Sequence, residues 1–319
     1  MNKKLLLLLG ALLASAALTG WAQTYPTKPL RLVVPFPPGG LIDNMARLLA
    51  PRLAQELGQP VVIDNKPGAG GNIGAAEVAR AAADGYTLLM ASPPLTISPT
   101  LYKVLPYKPE QIVPVALMGQ VPNVLFVKPG SIGSVQQLLE KARAQPGRLN
   151  YASNGNGTSL HLSAELFKSS TNTFITHIPY RGAAAGITAV LAGEVDIMFD
   201  NLPSAIGQIQ AGTLKALAVT TTRRSKALPD VPTLVESGLA DFDVSAWFGL
   251  AAPVGTPAAV MMRLEQALDK VGRQPEVTAA MLRQGAEPAF MDSKAMATFW
   301  AADAAKWQRV AAYAKITLD

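Results

Sequence analysis

The sequence predicts an α/β protein of two lobes, each a mainly parallel sheet flanked by helices, with a ligand cleft between them. Three observations carry this. Apolar runs of strand length are followed repeatedly by a Gly-, Pro- or Asn-rich loop and a helix-period stretch, the pattern of parallel strands joined by right-handed crossovers. The second half of the chain repeats the plan of the first. Finally, 319 residues exceed one ordinary core and suit two domains.

The N-terminus is set apart from the rest. Lys3 and Lys4 precede an apolar run at residues 5–17, too short to span a membrane, and Gly20-Trp21-Ala22 offers small residues where a signal peptidase reads. Residues 1–22 are therefore expected to be a cleaved signal peptide, with export to the periplasm. No cysteine follows the run, so a lipid anchor there is excluded. The chain has no cysteine at all, which removes disulfides, thiol nucleophiles and Cys-based metal sites. Without Lys3 and Lys4, 26 basic residues face 22 acidic ones, a net charge of +4. The excess is scattered, and Arg223-Arg224 stands without interleaved aromatics, so no nucleic-acid partner is expected. Apolar residues at 49% and charged ones at 16% describe a globular chain.

Residues 30–36 read as a buried parallel strand because they are almost continuously apolar. Ile42, Met45, Leu48, Leu49 and Leu53 follow at helical spacing, with Asp43 placed to cap free amides and Pro51 expected to break or kink the helix. A second unit pairs a strand at 61–64 and a loop at 66–72 with a helix at 73–82. A third strand at 86–91 closes in a loop, Ser92-Pro93-Pro94. Strands at 113–118 and 124–127, separated by 119–123, read as the first crossing between lobes. Ser134 should cap the next helix.

The second lobe repeats the scheme: strand 149–152, loop 153–158, helix 159–169; strand 173–178, loop 179–182 and a helix through Ile187, Val190 and Leu191; strand 195–199, Asp200-Asn201 and a helix from Pro203; then a strand at 214–220. Residues 242–252 read as the strand returning to the first lobe. The last third is helical, with Phe299, Trp300 and Trp307 expected to pack the tail onto lobe one. Residues 23–121 and 247–319 are thus assigned to lobe 1, and 122–246 to lobe 2.

In open parallel sheets ligands bind at the carboxyl ends of the strands. The loops gathered there (36–43, 66–72, 92–94, 153–158, 179–182 and 200–201) are rich in Gly, Asn, Ser and Thr and poor in Lys and His. Several open helices, whose free amides and dipole favour an anion. A carboxylate could be held by backbone N–H groups, with hydroxyls of Thr158 and Ser159 adding donors. The plainer reading is that the glycines only make tight turns.

Enzymatic readings have little to stand on. Gly68-Ala69-Gly70-Gly71-Asn72-Ile73-Gly74 follows a strand and opens a helix, but Ile73 occupies the last glycine position of a dinucleotide fingerprint, and an exported protein meets little NAD. There is no G-x-S-x-G elbow. His161 and His177, the only histidines, are too far apart for a helical or hairpin metal pair. His161 is either a packing residue or a ligand contact, and His177 is structural. Asp43 and Asp200 could be drawn as an acid/base pair, though capping and loop bracing are simpler roles. No cofactor and no metal are expected.

Long stretches of the chain resemble a known family. Residues 25–40, Asn65-Lys66-Pro67-Gly68-Ala69-Gly70-Gly71-Asn72-Ile73-Gly74, Asp84-Gly85-Tyr86-Thr87-Leu88-Leu89, His177-Ile178-Pro179-Tyr180-Arg181-Gly182, Asp196-Ile197-Met198-Phe199-Asp200-Asn201 and Leu228-Pro229-Asp230-Val231-Pro232-Thr233 look like the Bug-type (TctC-like) extracytoplasmic receptors of tripartite tricarboxylate transporters. The resemblance covers the chain beyond the signal. It implies a type II periplasmic binding protein, not an enzyme, that closes on a small carboxylate like a flytrap and delivers it as a monomer to a membrane permease. An alternative role is to report ligand to a membrane signalling protein.

Carried over by motif, the contacts would be Phe36, Gly39, Gly40, Asp43, Ser92, Asn154, Thr158, Ser159, Tyr180 and Asp200. The same loops add Leu41, Ile42, Gly155, Gly157, His161, Gly182 and Asn201 as candidates. The sequence departs from the family at Ile42, where Ser or Thr is usual, and at Pro93-Pro94, where small polar residues are usual. Both departures replace donors with apolar surface and point to an aromatic or longer-chain carboxylate.

Overall fold

The computed structural model describes residues 25–240 and 242–318. The segment read as a signal peptide lies outside the described residues. Three parallel strands open the fold: β1 (Leu30–Val34) at the centre, flanked by β2 (Val61–Asn65) and β3 (Thr87–Ala91). The second half mirrors this with β5 (Asn150–Ser153) between β6 (Thr176–Pro179) and β7 (Ile197–Asn201), again all parallel. The predicted parallel core of each lobe is present.

Two long antiparallel strands join the halves. β4 (Ile112–Val127) pairs along residues 112–122 with β9 (Ser245–Pro253), and along 123–127 with β7. β9 also closes against β3, while β8 (Lys215–Val219) and β10 (Glu287–Met291) flank β4. The crossing expected as a loop at 119–123 is thus continuous strand. Asn123 within it is fully buried and satisfied: its N–H donates to Thr220 Oγ1 (3.1 Å), its Nδ2 to Ser163 Oγ (2.9 Å), and its Oδ1 accepts from Asn201 Nδ2 (2.6 Å). Gly249 of β9 crosses β4 so closely that a Cβ there would land on the Ala116 carbonyl oxygen. Gly249→Ala should cost about 1–3 kcal/mol through overpacking against backbone that cannot yield, read as a lower denaturant midpoint at unchanged slope.

The helices follow the predicted order, with three differences. α1 (Leu41–Leu57) runs unbroken through Pro51. Pro51 lies on the exposed face, as does Arg47, whose carbonyl loses its intrahelical donor, so water can replace the missing bond. α3 (Pro94–Leu101) occupies what read as loop. Pro93 and Pro94 fall at the helix start, where a missing N–H costs nothing, and Pro99 lies inside the helix on its exposed side. α9 (Pro275–Arg283) and β10 are short elements that the helical reading of the tail passed over. The others are α2 (Asn72–Ala79), α4 (Val135–Ala144), α5 (Ser159–Thr171), α6 (Ala183–Ala192), α7 (Leu202–Gln210), α8 (Ala258–Gly272) and α10 (Ser293–Ala314). Ser134 caps α4 as expected, accepting from Gln137 N.

The tail does not pack on one lobe alone. Met296 of α10 joins a cluster with Val33, Leu89 and Trp247, against which Phe299 and Trp300 also pack. Trp307 and Ala311 are instead buried with Leu125, Phe167 and Phe199 of the second half. At 22 residues, about 33 Å, the helix is long enough to serve both cores.

Candidate functional site

Five helices, α1, α3, α5, α6 and α7, begin around one cleft. The first turn of any helix has N–H groups without intrahelical acceptors and carries roughly half a positive charge. Here these ends converge from both halves, but α3 begins on two prolines without N–H groups and its next amides, Leu95 N and Thr96 N, donate to Ser92 O (3.1 Å) and Pro93 O (2.9 Å), so the amides on offer come from the other four. Gly40 and Gly182, which precede α1 and α6, supply no side-chain cap, so the amides behind them stay available. Thr158 does cap α5, accepting from His161 N (3.3 Å) while its hydroxyl donates to Gly155 O (2.8 Å).

The closed cleft leaves about 30 Å³ for the centre of a water-sized sphere, within about 470 Å³ of non-atom space that includes solvent at its mouth. Phe36, Gly40, Leu41, Ile42 and Ser92 line it from one side, and Asn154, Thr158, Ser159, Gly182 and Asn201 from the other. Pro93 and Pro94, noted in the sequence as departures, are in the wall. Sequence reasoning missed Pro37, Leu160, Ala183 and Ala246. The first three adjoin residues that were singled out. Ala246 comes from β9, far along the chain, and only the tertiary fold brings it in. No Lys, Arg or His side chain lines the cleft.

Seven candidates stand behind the wall. Asp43 is buried; its Oδ2 accepts from Gly39 N (3.0 Å) and Arg47 Nε (2.8 Å), its Oδ1 from Asn65 Nδ2 (3.0 Å). Burial would raise its pKa, but the bonds from Arg47, Asn65 and Gly39 outweigh that and hold the carboxyl below its ordinary value. It therefore fixes the Gly39-Gly40 loop from the first turn of α1. Gly155 accepts from Thr158, and Tyr180 N donates to Ser153 O (3.0 Å), fixing the second-lobe loop. Gly157, with φ +74°, donates to His161 Nδ1 (3.4 Å).

His161 stacks on His177 at 4.4 Å, and His177 on Tyr151 at 4.6 Å; His177 Nε2 lies 2.7 Å from Ser153 Oγ. Burial lowers both histidines, to about 4 and about 3, so both rings are neutral near pH 7 and serve as packing under the loop. Asp200 is fully buried, its Oδ1 accepting from Asn154 Nδ2 (2.9 Å) and Asn201 N (2.7 Å). Asp43 and Asp200 each have their own partners, which is bracing and not an acid/base pair.

The two sides touch. A Cβ on Gly40 would lie 3.8 Å from Ala183 Cβ, one on Gly182 would lie 3.0 Å from Pro37 Cγ, and Tyr102 Oη donates to Asn156 O (3.2 Å) at the rim. A cleft between two α/β lobes joined by crossing strands, walled by helix N-termini and closed on itself, defines a periplasmic solute-binding protein.

The family follows from comparison with known proteins. The model of the tripartite tricarboxylate transporter family receptor (TctC) matches residues 45–315, and the chain belongs to that family. It is 38% identical to Protein BugT of Bordetella pertussis over 313 residues, 96% of each chain. Among solved structures, R. palustris Rpa4515 with adipate superposes with a TM-score of 0.89 at 37% identity, covering 92% of this chain and 99% of that one. MatC from Rhodopseudomonas palustris with bound malate gives a TM-score of 0.84 at 31% identity, covering 90% and 99%. The family is one of solute-binding receptors, not of enzymes. Among the described residues no helix is long and apolar enough to cross a membrane, and no group of three or more His, Asp or Glu could hold a metal ion.

Proposed function

We propose that this receptor, exported by cleavage of residues 1–22, captures one small carboxylate between lobes 23–121/247–319 and 122–246 and presents the closed form, as a monomer, to the permease of a tripartite tricarboxylate transporter. The observation that carries the carboxylate is the convergence of four helix starts with unbonded amides, those of α1, α5, α6 and α7, on a cleft without a cationic side chain. Backbone amides would hold the anion, and a ligand that bridges both sides favours the closed form because only there do both sets of amides reach it. The lobe boundaries are supported by the switch of β4 from β9 to β7 after Pro122. Relatives with adipate and with malate support the chemical class.

The wall formed by Leu41, Ile42, Pro93, Pro94, Leu160 and Ala183 favours a ligand with an apolar body, an aromatic or longer-chain acid, over a bare dicarboxylate. Leu41 and Ile42 also belong to the lobe core, so the wall on that side is rigid. A thermal-shift screen over carboxylic acids tests this. A true ligand at a hundred times its Kd should add about 2.7 kcal/mol of stability. Succinate or glutamate binding far more tightly than any aromatic acid would end the apolar-body reading, and no shift with any carboxylate would end the receptor reading.

A further inference from the structure

Behind the cleft, two buried oxygens have no hydrogen-bond partner: Asp200 Oδ2 and Asn154 Oδ1. They belong to side chains already joined by the 2.9 Å bond from Asn154 Nδ2 to Asp200 Oδ1. Both leftover atoms are acceptors if Asp200 is ionised. A single proton on Oδ2 supplies the missing donor: a carboxylic acid and a primary amide pair through two bonds, N–H to O and O–H to O, and both oxygens are satisfied together.

The surroundings offer nothing to balance a charge on Asp200. β4 and β5 pack beside β7, and α5, α6 and α7 pack on it. β4, α6 and α7 carry no titratable side chain. β5 brings Tyr151, whose hydroxyl donates to Glu165 (2.6 Å). α5 brings His161, which is neutral, and Glu165, which is paired with Lys168 at 2.7 Å. Arg181, just before α6, is exposed, and Asp196, just before β7, accepts from Asn150 N (2.9 Å). A fully buried carboxylate without a cation is costly, and the group neutralises instead. Burial accordingly raises Asp200 to about 7, against the smaller opposing effects of its bonds from Asn201 and Asn154.

We infer that Asp200 is a positioning residue that works as a neutral acid: paired with Asn154 through two bonds, it holds that amide so that its second N–H faces the cleft, and it makes carboxylate capture depend on a proton. Asn154 lines the cleft, so its orientation decides whether the ligand meets a donor or a carbonyl. Loss of the proton frees the amide to rotate and sets a negative charge beside an anionic ligand. Affinity is therefore full while Asp200 is protonated and declines as pH rises through its titration. The ligand part of this rests on the carboxylate reading above; the protonation of Asp200 does not.

The test uses the mature chain, its Asp200→Asn variant, and adipate as probe. Calorimetry of the wild type should show affinity falling about tenfold per pH unit above about pH 7, with proton uptake revealed by two buffers of different ionisation heat. Asp200→Asn keeps both bonds to Asn154 without titrating, so its affinity at about pH 6 should stay within about threefold of wild type and not change up to about pH 9. A folded Asp200→Asn that has lost binding, or a wild type indifferent to pH, overturns the proposal. Infrared difference spectra of the ligand-free protein give an independent reading. A protonated-carboxyl C=O band should be present at about pH 6, fade through about pH 7, and be missing in the variant. Its absence from the wild type overturns the proposal even if the variant does not fold. Its presence without binding heat from adipate or from any other acid of the thermal-shift screen upholds the neutral acid and counts against the carboxylate reading instead.

Discussion

Gly40→Val should weaken ligand binding up to about 100-fold, the equivalent of the ~1–3 kcal/mol that overpacking costs, while the ligand-free fold loses no more than about 1 kcal/mol. Gly40 has φ −88° and ψ 174°, extended backbone open to any residue, so the substitution brings no backbone strain. What it meets is the other lobe. A Cβ there sits 3.8 Å from Ala183 Cβ, an ordinary contact, and because Gly40 lines the cleft the two further methyls of valine extend beyond that contact at the seam between the lobes. The lobes would be wedged apart, and helix starts on opposite sides could no longer share one anion. Gly40→Ala, which stops at the ordinary contact, should bind almost as the wild type does. Calorimetry with adipate, beside melting curves without it, separates the cases. Wild-type affinity in Gly40→Val would show that closure through this contact is not part of binding.

Asp303→Ala should destabilise the fold by about 4 kcal/mol, enough to lower the melting temperature on the order of 10 °C. Asp303 is buried in α10, where its Oδ2 accepts from Thr96 Oγ1 (2.7 Å), Trp247 Nε1 (2.8 Å) and Trp307 Nε1 (3.0 Å). Lys306 Nζ lies 3.0 Å from Oδ1 as an ion pair that lacks hydrogen-bond geometry. Removing the carboxylate strands two buried indole N–H groups at once, each costing about 1–3 kcal/mol when left unmade, while Thr96 Oγ1 keeps the Pro93 carbonyl as an acceptor (2.8 Å). The same residues connect α3, whose start lines the cleft, to strand β9 and to the helix that serves both cores. Both buried indoles bonded to Asp303 should shift emission together when it is lost. A variant that melts with the wild type would show that these donors find other partners.

Much of this molecule was legible in one dimension. The strand–loop–helix rhythm located the parallel strands because a strand buried on both faces is apolar without alternation and its crossover helix must show a 3.6-residue period. The loops that wall the cleft were legible too, since helix starts at strand ends require glycine, asparagine and hydroxyl residues that stand out against apolar neighbours. Proline misled in both directions. Pro51 sits inside a helix that water can repair, and Pro93-Pro94 opens a helix at positions where their missing N–H is no loss.

By itself the sequence determined the class of fold, the family through its long motifs, and the loops that meet at the cleft, because each rests on local residue chemistry along the chain. Only the tertiary structure decided which candidates face the cleft and which stand behind it. It alone brought Ala246 into the wall, ran β4 unbroken between the lobes, divided α10 between two cores, and buried Asp200 against Asn154 with one oxygen of each left over. Those outcomes depend on long-range pairing and on loss of water around particular atoms. No pattern of neighbours along the chain records either.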